Sequence, residues 1–318
     1  MTPTILLIGS GNIGRRHLQA LQATERPLRI IIVEPSEQAR AASQSIIPTG
    51  VSSVDVALQA NFTSIPPQCD LAIIATTALH RRAALETMLN STTPSTVLLE
   101  KVLFTTRRDI DEVQAKFSAD GIPAFVNCGR RGWPGYENLR RTLASRRGVS
   151  IEVTGSQWGL CSNSVHLLDL VDYALGDDIL SLSEEMLEAE PDTAKRDGCV
   201  ELYGTLAGKL AGGGSLSLTC LREPGTPVTV KFVHGREQWE VAEAAGIQTY
   251  RHDKTEQTVP FETRFVSTMP YLYTEILDGK PSRLTPYKVS AIHHKLFIDA
   301  IRRRLNLSLF EDVPCPIS

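Results

Sequence analysis

The residues whose spacing is most specific for a chemistry form a glycine-rich turn near the start of the chain. The turn follows an apolar run at residues 5–8, which predicts a short buried strand. Glycines spaced in this way allow a tight turn, a close approach of the backbone to a pyrophosphate, and close packing of the next helix on the sheet. N–H groups at the start of that helix would face the phosphates. The predicted cofactor contacts in this turn are Gly9, Ser10, Gly11, Asn12, Ile13 and Gly14.

An acidic residue completes this pattern. Glu34 ends a second apolar run, residues 30–33, about twenty residues after the glycines. A carboxylate here can accept hydrogen bonds from both ribose hydroxyls of an adenosine half, and it repels a 2′-phosphate. The sequence therefore predicts NAD as the cofactor. NADP is the alternative, because Arg15, Arg16 or Arg40 could approach a 2′-phosphate.

Alternating strand and helix patterns over the first 127 residues would position this turn. The strand runs are apolar throughout, which is typical of a parallel sheet that is covered on both faces. They lie at residues 4–9, 29–34, 70–75, 96–100 and 124–127, with helices predicted at 13–23, 36–45, 79–89 and 106–119. Residues 1–127 are therefore predicted to form a doubly wound α/β domain.

The pattern changes near residue 150. Short segments rich in Val, Thr, Leu and Gly, separated by glycine and proline turns, predict a large and mostly antiparallel sheet. These segments lie at residues 150–157, 199–206, 214–221, 227–233 and 237–241; helices are predicted at 134–143, 165–175, 265–277 and 287–303, and surface loops at 191–193 and 251–257. Residues 128–318 are predicted to form an α+β domain. Its C-terminal helix, at about 286–304, is expected to pack back toward the first domain.

Composition excludes several classes of protein. A length of 318 residues suggests about two domains, and a net charge of −3 gives no attraction toward nucleic acid or an anionic membrane. No apolar stretch approaches the ~20 residues that span a bilayer. The six cysteines lie far apart without a CxxC pair. We therefore expect free thiols in the cytoplasm, no metal site, and neither nucleic-acid nor membrane partners.

Polar residues follow two neighbouring predicted strands, where each strand ends. Ligands of an open parallel sheet bind outside the carboxyl ends of its strands. Thr76 and Thr77 are therefore candidates to line the cofactor site, although Thr77 could also cap the next helix, and His80 is a further candidate. Lys101, which follows Glu100, could hold a substrate hydroxyl by a charge-assisted hydrogen bond. The alternative for this pair is a surface ion pair worth under ~1 kcal/mol.

A predicted helix in the second domain carries a histidine and an acidic residue three positions apart. His166 and Asp169 would lie on one helix face, so the carboxylate could orient the imidazole. The alternative is a histidine in the core. Ser162 or Asn163 is predicted to cap this helix.

Aromatic residues suggest the kind of substrate. Trp133, Tyr136 and Trp158 could stack on a pyranose ring, and Arg130 or Arg131 could bind an acidic group. An acidic or nucleotide-linked sugar is one interpretation. The other is that these aromatic residues form part of the core.

Taken together, these motifs resemble the Gfo/Idh/MocA family of oxidoreductases (glucose–fructose oxidoreductase, inositol dehydrogenase and rhizopine-catabolism proteins). The resemblance runs nearly end to end. Its residues are Gly9-x-Gly11-x-x-Gly14-x-x-His17, Ala75-Thr76-Thr77-x-x-His80, Glu100-Lys101-Val102-Leu103, Asn127 with Arg130-Arg131 before Trp133-Pro134, His166-x-x-Asp169 and Pro316-Ile317-Ser318.

The resemblance implies an N-terminal Rossmann domain, a C-terminal substrate-binding and dimerisation domain, and hydride transfer between NAD(P) and a secondary alcohol or ketone of a sugar, cyclitol or sugar derivative. It implies that Lys101 contacts the reacting hydroxyl and that His166 is the general acid/base. A homodimer or homotetramer through the C-terminal sheet is expected. Further cofactor contacts are predicted at Thr76, Thr77, His80, Glu100, Lys101 and Asn127, and substrate contacts at Arg131, Trp158, Ser162, Asn163 and Asp169.

Two positions depart from the family pattern. Ser162 stands where the family commonly has an aspartate, one helical turn before the histidine, and a serine cannot hold a negative charge there. This favours a ketone reductase or a modified substrate over inositol-type dehydrogenation. It also leaves open a sensor protein that binds a dinucleotide and a sugar without catalysis. Val102 stands where proline is usual, and a trans peptide bond at this point would change how Lys101 is presented.

Overall fold

The computed structural model describes residues 2–49, 53–309 and 313–318. The chain divides into two compact units. The first unit comprises Met1–Phe104, Arg108–Gly129 and Arg264–Ala291, and the second comprises Thr105–Arg107, Arg130–Thr263 and Ile292–Ser318. Both units are therefore built from separate stretches of the sequence.

The strands, in chain order, are β1 (Thr4–Ile8), β2 (Leu28–Val33), β3 (Val54–Gln59), β4 (Gln68–Cys69), β5 (Leu71–Ile74), β6 (Thr93–Pro94), β7 (Val97–Leu99), β8 (Ala124–Val126), β9 (Ser150–Ser156), β10 (Ile179–Leu187), β11 (Asp192–Thr193), β12 (Val200–Glu201), β13 (Gly204–Leu210), β14 (Ser215–Leu221), β15 (Thr229–His234), β16 (Glu237–Ala242), β17 (Ile247–His252), β18 (Thr255–Pro260) and β19 (Thr285–Pro286). The α-helices are α1 (Asn12–Gln22), α2 (Glu37–Gln44), α3 (Ala78–Ser91), α4 (Arg107–Ala119), α5 (Pro134–Leu143), α6 (Leu160–Leu170), α7 (Tyr271–Leu277) and α8 (Tyr287–Arg304).

The first unit is built on a seven-stranded sheet in the order β19-β8-β7-β5-β1-β2-β3. Its pairs are parallel except that β19 runs antiparallel to β8. Every residue of β5 and β7 is buried, as their continuous apolar sequences require in a sheet covered on both faces. The strand order reverses at β1 and β5. In open α/β sheets this reversal marks the place where ligands bind.

The second unit is built on an eight-stranded sheet in the order β10-β13-β14-β9-β15-β16-β17-β18. Only β9 and β14 pair in parallel among these strands. Residues alternate between buried and accessible along β9 and β14, so one face of the sheet is packed into the core. The predicted fold class, a doubly wound parallel sheet followed by an α+β domain with a mostly antiparallel sheet, is confirmed.

Several predicted boundaries were wrong. Residues 251–257, predicted as a surface loop, belong to the hairpin of β17 and β18, whose outer strand is fully exposed and therefore lacks the apolar alternation of a half-buried strand. The helix predicted at 165–175 begins at Leu160, continues as α6 to Leu170 and ends as a π-helix over Val171–Leu175. The helix predicted at 265–277 is interrupted, and α7 begins directly after Pro270.

No helix in the described ranges is long and apolar enough to cross a lipid bilayer.

Candidate functional site

The carboxyl ends of the first sheet's strands bring the predicted cofactor residues to one edge. The N–H of Gly9 donates to the carbonyl of Val33 at 2.9 Å, and the N–H of Ala75 donates to the carbonyl of Ile8 at 2.8 Å. Corresponding bonds hold Glu34, Glu100 and Asn127 at the ends of their own strands: Glu34 to Gln59 at 2.9 Å, Glu100 to Ile74 at 3.2 Å and Asn127 to Leu99 at 2.8 Å. The ladder therefore positions the residues that follow five different strands.

The three glycines of the turn differ in their backbone conformation and in the space around them. Gly9 has a φ of +87°, which an L side chain rarely adopts. A Cβ on Gly14 would overlap the carbonyl oxygen of Gly9, so this glycine lets α1 pack closely on the turn. A Cβ on Gly11 would meet no atom within 4 Å. Packing within the described chain therefore does not require Gly11 to lack a side chain, and the open space beside it fits a ligand.

The N-terminus of α1 is arranged to receive an anion. Gly11 occupies the N-cap position, no side chain caps the helix, and its first turn holds no acidic residue. The free N–H groups and the positive end of the helix dipole favour a phosphate at this place. Arg15 adds a positive charge beside the turn, since its guanidinium donates to the carbonyl of Ser10 at 3.0 Å and to Oδ1 of Asn12 at 2.7 Å.

Glu34 is held rigidly at the end of β2. Its Oε2 accepts from the N–H of Ser10 at 2.8 Å, and its Oε1 accepts from the N–H of Ser36 at 2.9 Å. Each carboxylate oxygen has two lone pairs, so the pair of bonds fixes the group and leaves acceptor capacity for two ribose hydroxyls. The residues present therefore fit an adenine dinucleotide.

Two of the arginines considered for a 2′-phosphate lie next to this region. Besides Arg15, the guanidinium of Arg40 donates to the carbonyls of Glu34 and Pro35, each at 2.7 Å. Arg16 is exposed and donates to Gln19 on the same helix. The carboxylate thus favours NAD, and Arg40 is the residue best placed to weaken that preference.

The loop after β5 presents polar groups at the same edge. The side-chain hydroxyl of Thr76 is buried and makes no hydrogen bond with the described residues. Its N atom would lie 3.1 Å from a Cβ on Gly9, so the loops after β1 and β5 meet. Thr77 occupies the N-cap position of α3, but its side chain makes no capping hydrogen bond. Thr77 and His80 are both exposed.

Glu100 lies in a buried hydrogen-bonded cluster, which we call the Glu100 cluster: Glu100, His17, Asn127 and Tyr273. Oε1 of Glu100 contacts Nε2 of His17 at 2.8 Å and accepts from Nδ2 of Asn127 at 2.5 Å. Nδ1 of His17 contacts the hydroxyl of Tyr273 at 2.7 Å. Burial alone would raise the pKa of Glu100, but the bonds to His17 and Asn127 and the charge of Arg81 outweigh it and lower that pKa. Glu100 and Asn127, both predicted cofactor contacts, are therefore bonded to each other, and Tyr273 was not predicted from any sequence pattern.

Lys101 follows the cluster directly and is half-buried. The peptide bond between Lys101 and Val102 is cis and not trans. Arg81 holds the segment in place: its guanidinium donates to the carbonyl of Leu103 at 2.7 Å and also to those of Val102 and Thr76. Arg81 is only 1% exposed.

In the second unit, α6 is buried on every side but one. Eight of its residues are buried, and the remaining three, Ser162, Asn163 and His166, are partly exposed. These positions lie three or four residues apart from His166 and therefore share one face. We call this surface the open face of α6. The three residues proposed for substrate and proton transfer are thus presented together.

Asp169, in contrast, is fully buried and forms an ion pair with Arg131. Its two oxygens accept from Nε and Nη2 of Arg131 at 2.6 and 2.7 Å, and Arg131 also contacts Asp172 at 2.5 Å. Burial would lower the pKa of Arg131, but Asp169 and Asp172 raise it, so the charge is retained. This arrangement makes both predicted substrate residues, Arg131 and Asp169, supports of α6, and we assign them no ligand.

The aromatic residues divide between two roles. Tyr136 is fully buried and its hydroxyl donates to Glu243 at 2.5 Å, which places it in the core. Arg130 binds the same carboxylate in a bidentate manner, at 2.6 and 2.7 Å, and stacks on Trp133. Trp158 is half-buried and donates to the carbonyl of Thr219 at 2.9 Å, next to the start of α6. Trp158 therefore remains an aromatic candidate for substrate contact, whereas Tyr136 does not.

The capping prediction for this helix was wrong. Gly159, with a φ of +78°, is the N-cap residue of α6, whereas Ser162 and Asn163 lie inside the first turn. The first turn instead receives the carboxylate of Glu201, whose Oε1 accepts from the N–H of Cys161 at 2.8 Å. Sequence reasoning missed this residue, because β12 is only two residues long. In the part of the chain that the structure describes, no group of His, Cys, Asp or Glu side chains is arranged to hold a metal ion.

Residues 4–128 match the family model GFO_IDH_MocA, described as an oxidoreductase family with an NAD-binding Rossmann fold. No curated protein sequence matches the chain.

Solved structures share the fold over nearly the whole chain. One is the UDP-N-acetylglucosamine 3-dehydrogenase GnnA from Acidithiobacillus ferrooxidans, with a TM-score of 0.71 and 14% identity over 96% of this chain and 98% of that one. Another is an oxidoreductase from Agrobacterium radiobacter in complex with NAD+, L-tartaric acid and magnesium, with a TM-score of 0.75 and 12% identity over 96% and 97%. A third is a super-repressor mutant of Gal80p from Saccharomyces cerevisiae, with a TM-score of 0.74 and 12% identity over 96% of each chain.

The first prediction distinguishes the role of Gly11 from that of Gly14. Gly11→Ala should lower the free energy of unfolding by at most about 1 kcal/mol, the difference between glycine and alanine at an N-cap, but weaken NAD binding at least tenfold, because the methyl group enters the space open to the phosphates. Gly14→Ala should destabilise the protein by on the order of 3 kcal/mol, because its methyl group overlaps the Gly9 carbonyl. Urea unfolding and calorimetric titration with NAD measure the two effects. Undiminished NAD affinity in Gly11→Ala would remove this turn from the cofactor site.

The second prediction concerns acid stability. The lowered pKa of Glu100 stabilises the folded state above the pKa of an unfolded glutamate, about 4.3, and this contribution is lost as the pH falls through the folded value. Glu100→Gln should therefore lower the free energy of unfolding at pH 7 by about 2 kcal/mol, and the difference from wild type should shrink below pH 4. Exposed Glu86 provides the control Glu86→Gln. A difference that is constant between pH 7 and pH 3 would contradict the assignment.

Proposed function

We propose that this protein, whose residues 4–128 match the Gfo/Idh/MocA family model, catalyses reversible hydride transfer between a nicotinamide cofactor and a secondary alcohol or ketone of a sugar, cyclitol or sugar derivative. The observation that carries this proposal is the edge of the first sheet. There, an unobstructed glycine turn, the fixed carboxylate of Glu34 and Lys101 all follow strand ends of one parallel sheet. The first two suit the adenosine and phosphates of a dinucleotide, and the third supplies a positive charge for a substrate oxygen.

We assign the chemical roles to Lys101 and His166. When bound, the nicotinamide supplies the hydride acceptor or donor. His166 accepts the hydroxyl proton as the alcohol is oxidised and returns it as the ketone is reduced. Lys101 donates a charge-assisted hydrogen bond to the same oxygen and stabilises the negative charge that develops there.

The supporting residues keep these two groups in place. The Glu100 cluster and Arg81 fix the backbone on either side of Lys101. The ion pair of Arg131 with Asp169 anchors α6 one turn after His166. Such rigid support matters because a displacement of about 1 Å at a reacting group can cost on the order of 100-fold in rate.

NAD is the proposed cofactor, with NADP as the second possibility. Glu34 would repel a 2′-phosphate, whereas the neighbouring guanidinium of Arg40 would attract it. Substrates related to that of GnnA, a UDP-N-acetylglucosamine dehydrogenase, are a starting point, because that enzyme shares the fold. Trp158, Ser162 and Asn163 are the proposed substrate contacts in the second unit.

A second candidate function is a sensor that binds a dinucleotide and a sugar without catalysis. The structural likeness to the super-repressor mutant of Gal80p favours it, as does the presence of Ser162 in place of an acidic residue. The presence of both Lys101 and His166 favours the enzyme. Tight NADH binding, seen as enhanced fluorescence, without NADH formation or consumption over a broad sugar panel would select the sensor.

The third prediction tests the enzyme. Lys101→Met and His166→Ala should each lower turnover at least ~100-fold while NAD affinity changes little, because both groups act on the reacting oxygen. NADH absorbance with sugars, cyclitols and nucleotide sugars measures turnover, and calorimetry measures NAD affinity. Exposed Lys254 provides the control Lys254→Met, which should retain full turnover. Unchanged turnover in both site variants would remove them from the mechanism.

The fourth prediction concerns assembly. We propose a homodimer or homotetramer through the eight-stranded sheet, because one set of alternating residues on β9, including Glu152 and Thr154, stays exposed. Sedimentation should give two or four times the chain mass of 34.9 kDa. Replacing Thr154 by Arg should lower that mass, since an exposed cation would be forced into the interface. A wild-type protein that sediments as a monomer would contradict this proposal.

A further inference from the structure

The first turn of α6 gathers three polar side chains around one glycine. Gly159 is in the left-handed region, and its carbonyl accepts from the hydroxyl of Ser162 at 3.2 Å. Nδ2 of Asn163 donates to the carbonyl of Trp158 at 2.7 Å. Both side chains belong to the open face of α6, one helical turn before His166.

The third side chain comes from another part of the chain. Glu201, at the end of β12, directs its carboxylate to the start of α6, where Oε1 accepts from the N–H groups of Cys161 at 2.8 Å and Leu202 at 3.2 Å. These backbone bonds fix the orientation of the carboxylate. The N–H of Leu160 and the thiol of Cys161 also bond to this carboxylate.

The other oxygen lies near Gly159. A Cβ on Gly159 would stand 3.6 Å from Oε2 of Glu201, 2.7 Å from the hydroxyl of Ser162 and 3.1 Å from Nδ2 of Asn163. The three side-chain atoms therefore surround the same point. They place a carboxylate at the N-terminal end of the face that carries His166.

No residue of α6 itself supplies a negative charge to that face. Asp169, the one acidic residue of the helix, is fully buried and bound to Arg131 through both oxygens. Glu201 is half-buried, and this burial raises its pKa above the ordinary value even though hydrogen bonds from the N–H groups of Cys161, Leu202 and Leu160 and from the Cys161 thiol lower it.

We propose that Glu201 is the substrate-binding carboxylate of the second unit, and that its Oε2 accepts hydrogen bonds from hydroxyl or amide donors of the sugar next to the reacting carbon. This inference rests on the function proposed above. A carboxylate only accepts hydrogen bonds, so Glu201 selects ligands with two neighbouring donors and disfavours anionic groups at this position. Ser162 then serves as a neutral neighbour, because two carboxylates at this place would repel each other.

The experiment compares four proteins: wild type, Glu201→Gln, the double variant Ser162→Asp/Glu201→Gln and the control Glu190→Gln. Gln keeps the shape and one acceptor for the N–H of Cys161 but removes the charge. Asp at position 162 restores a carboxylate on the open face of α6 without using β12. Glu190 is exposed and precedes the same hairpin, so its substitution changes the net charge equally.

The probes are myo-inositol and UDP-N-acetylglucosamine, titrated calorimetrically into each protein with and without saturating NADH. Melting temperatures are measured in parallel, and KM and kcat are measured for any probe that is oxidised. In Glu201→Gln, the dissociation constant and KM of the bound probe should rise at least tenfold, with the melting temperature close to that of wild type. The double variant should recover most of that loss, and Glu190→Gln should behave as wild type.

Three results would overturn the inference: unchanged probe affinity in Glu201→Gln, a lowered melting temperature as the sole effect of that variant, or binding of neither probe by wild type. Failure of the proposed function looks different. If the protein binds a probe through Glu201 but never transfers hydride or never binds NADH, the reaction is wrong and Glu201 is still the ligand. If hydride transfer proceeds with an unchanged KM in Glu201→Gln, the reaction stands and the inference falls.

Discussion

The contact between Glu100 and His17 is the interaction on which the first unit most depends. It joins the end of β7 to α1, and Asn127 and Tyr273 extend it to β8 and α7. A buried carboxylate is tolerated only when it is well paired, so each member of this cluster fixes the positions of the others. Lys101 is the next residue in the chain, so the cluster also restrains its backbone. The cluster thus links the position of the glycine-rich helix to that of the proposed catalytic amine.

In the second unit, the two sides of α6 have different roles. The buried side of α6 contains apolar residues and the Arg131–Asp169 ion pair, whereas the accessible side contains Ser162, Asn163 and His166. Breaking a buried ion pair by removing one partner is costly, which makes the pair a firm anchor. The chemistry we propose therefore uses the accessible residues of α6, whereas the other residues of this helix are buried.

The sequence predicted the parts of the structure that depend on short-range patterns. The glycine turn, Glu34 and the apolar strands were predicted because each has a local physical reason that is visible in a few consecutive residues. Partners that come from distant parts of the chain were not predicted. Tyr273 is far from His17 in sequence, and Glu201 is far from α6, so no periodicity could connect them.

Two further features were not predicted from the sequence. Arg81 turns inward because three backbone carbonyls at the end of the sheet need donors. The hairpin of β17 and β18 was also missed. Its polar outer strand has the composition of a loop, and only pairing with β17 makes it a strand.

The return of residues 264–291 to the first unit has a consequence for how such a protein can be divided. Strand β19, which covers the edge of β8, and Tyr273 both come from this late segment. A fragment that stops at residue 129 would leave that edge without its neighbour and the imidazole of His17 without its phenol. Recombination at a single breakpoint therefore cannot transplant the first unit as one cassette. Residues 292–318 return to the second unit, so the exchange requires breakpoints near residues 129, 263 and 291.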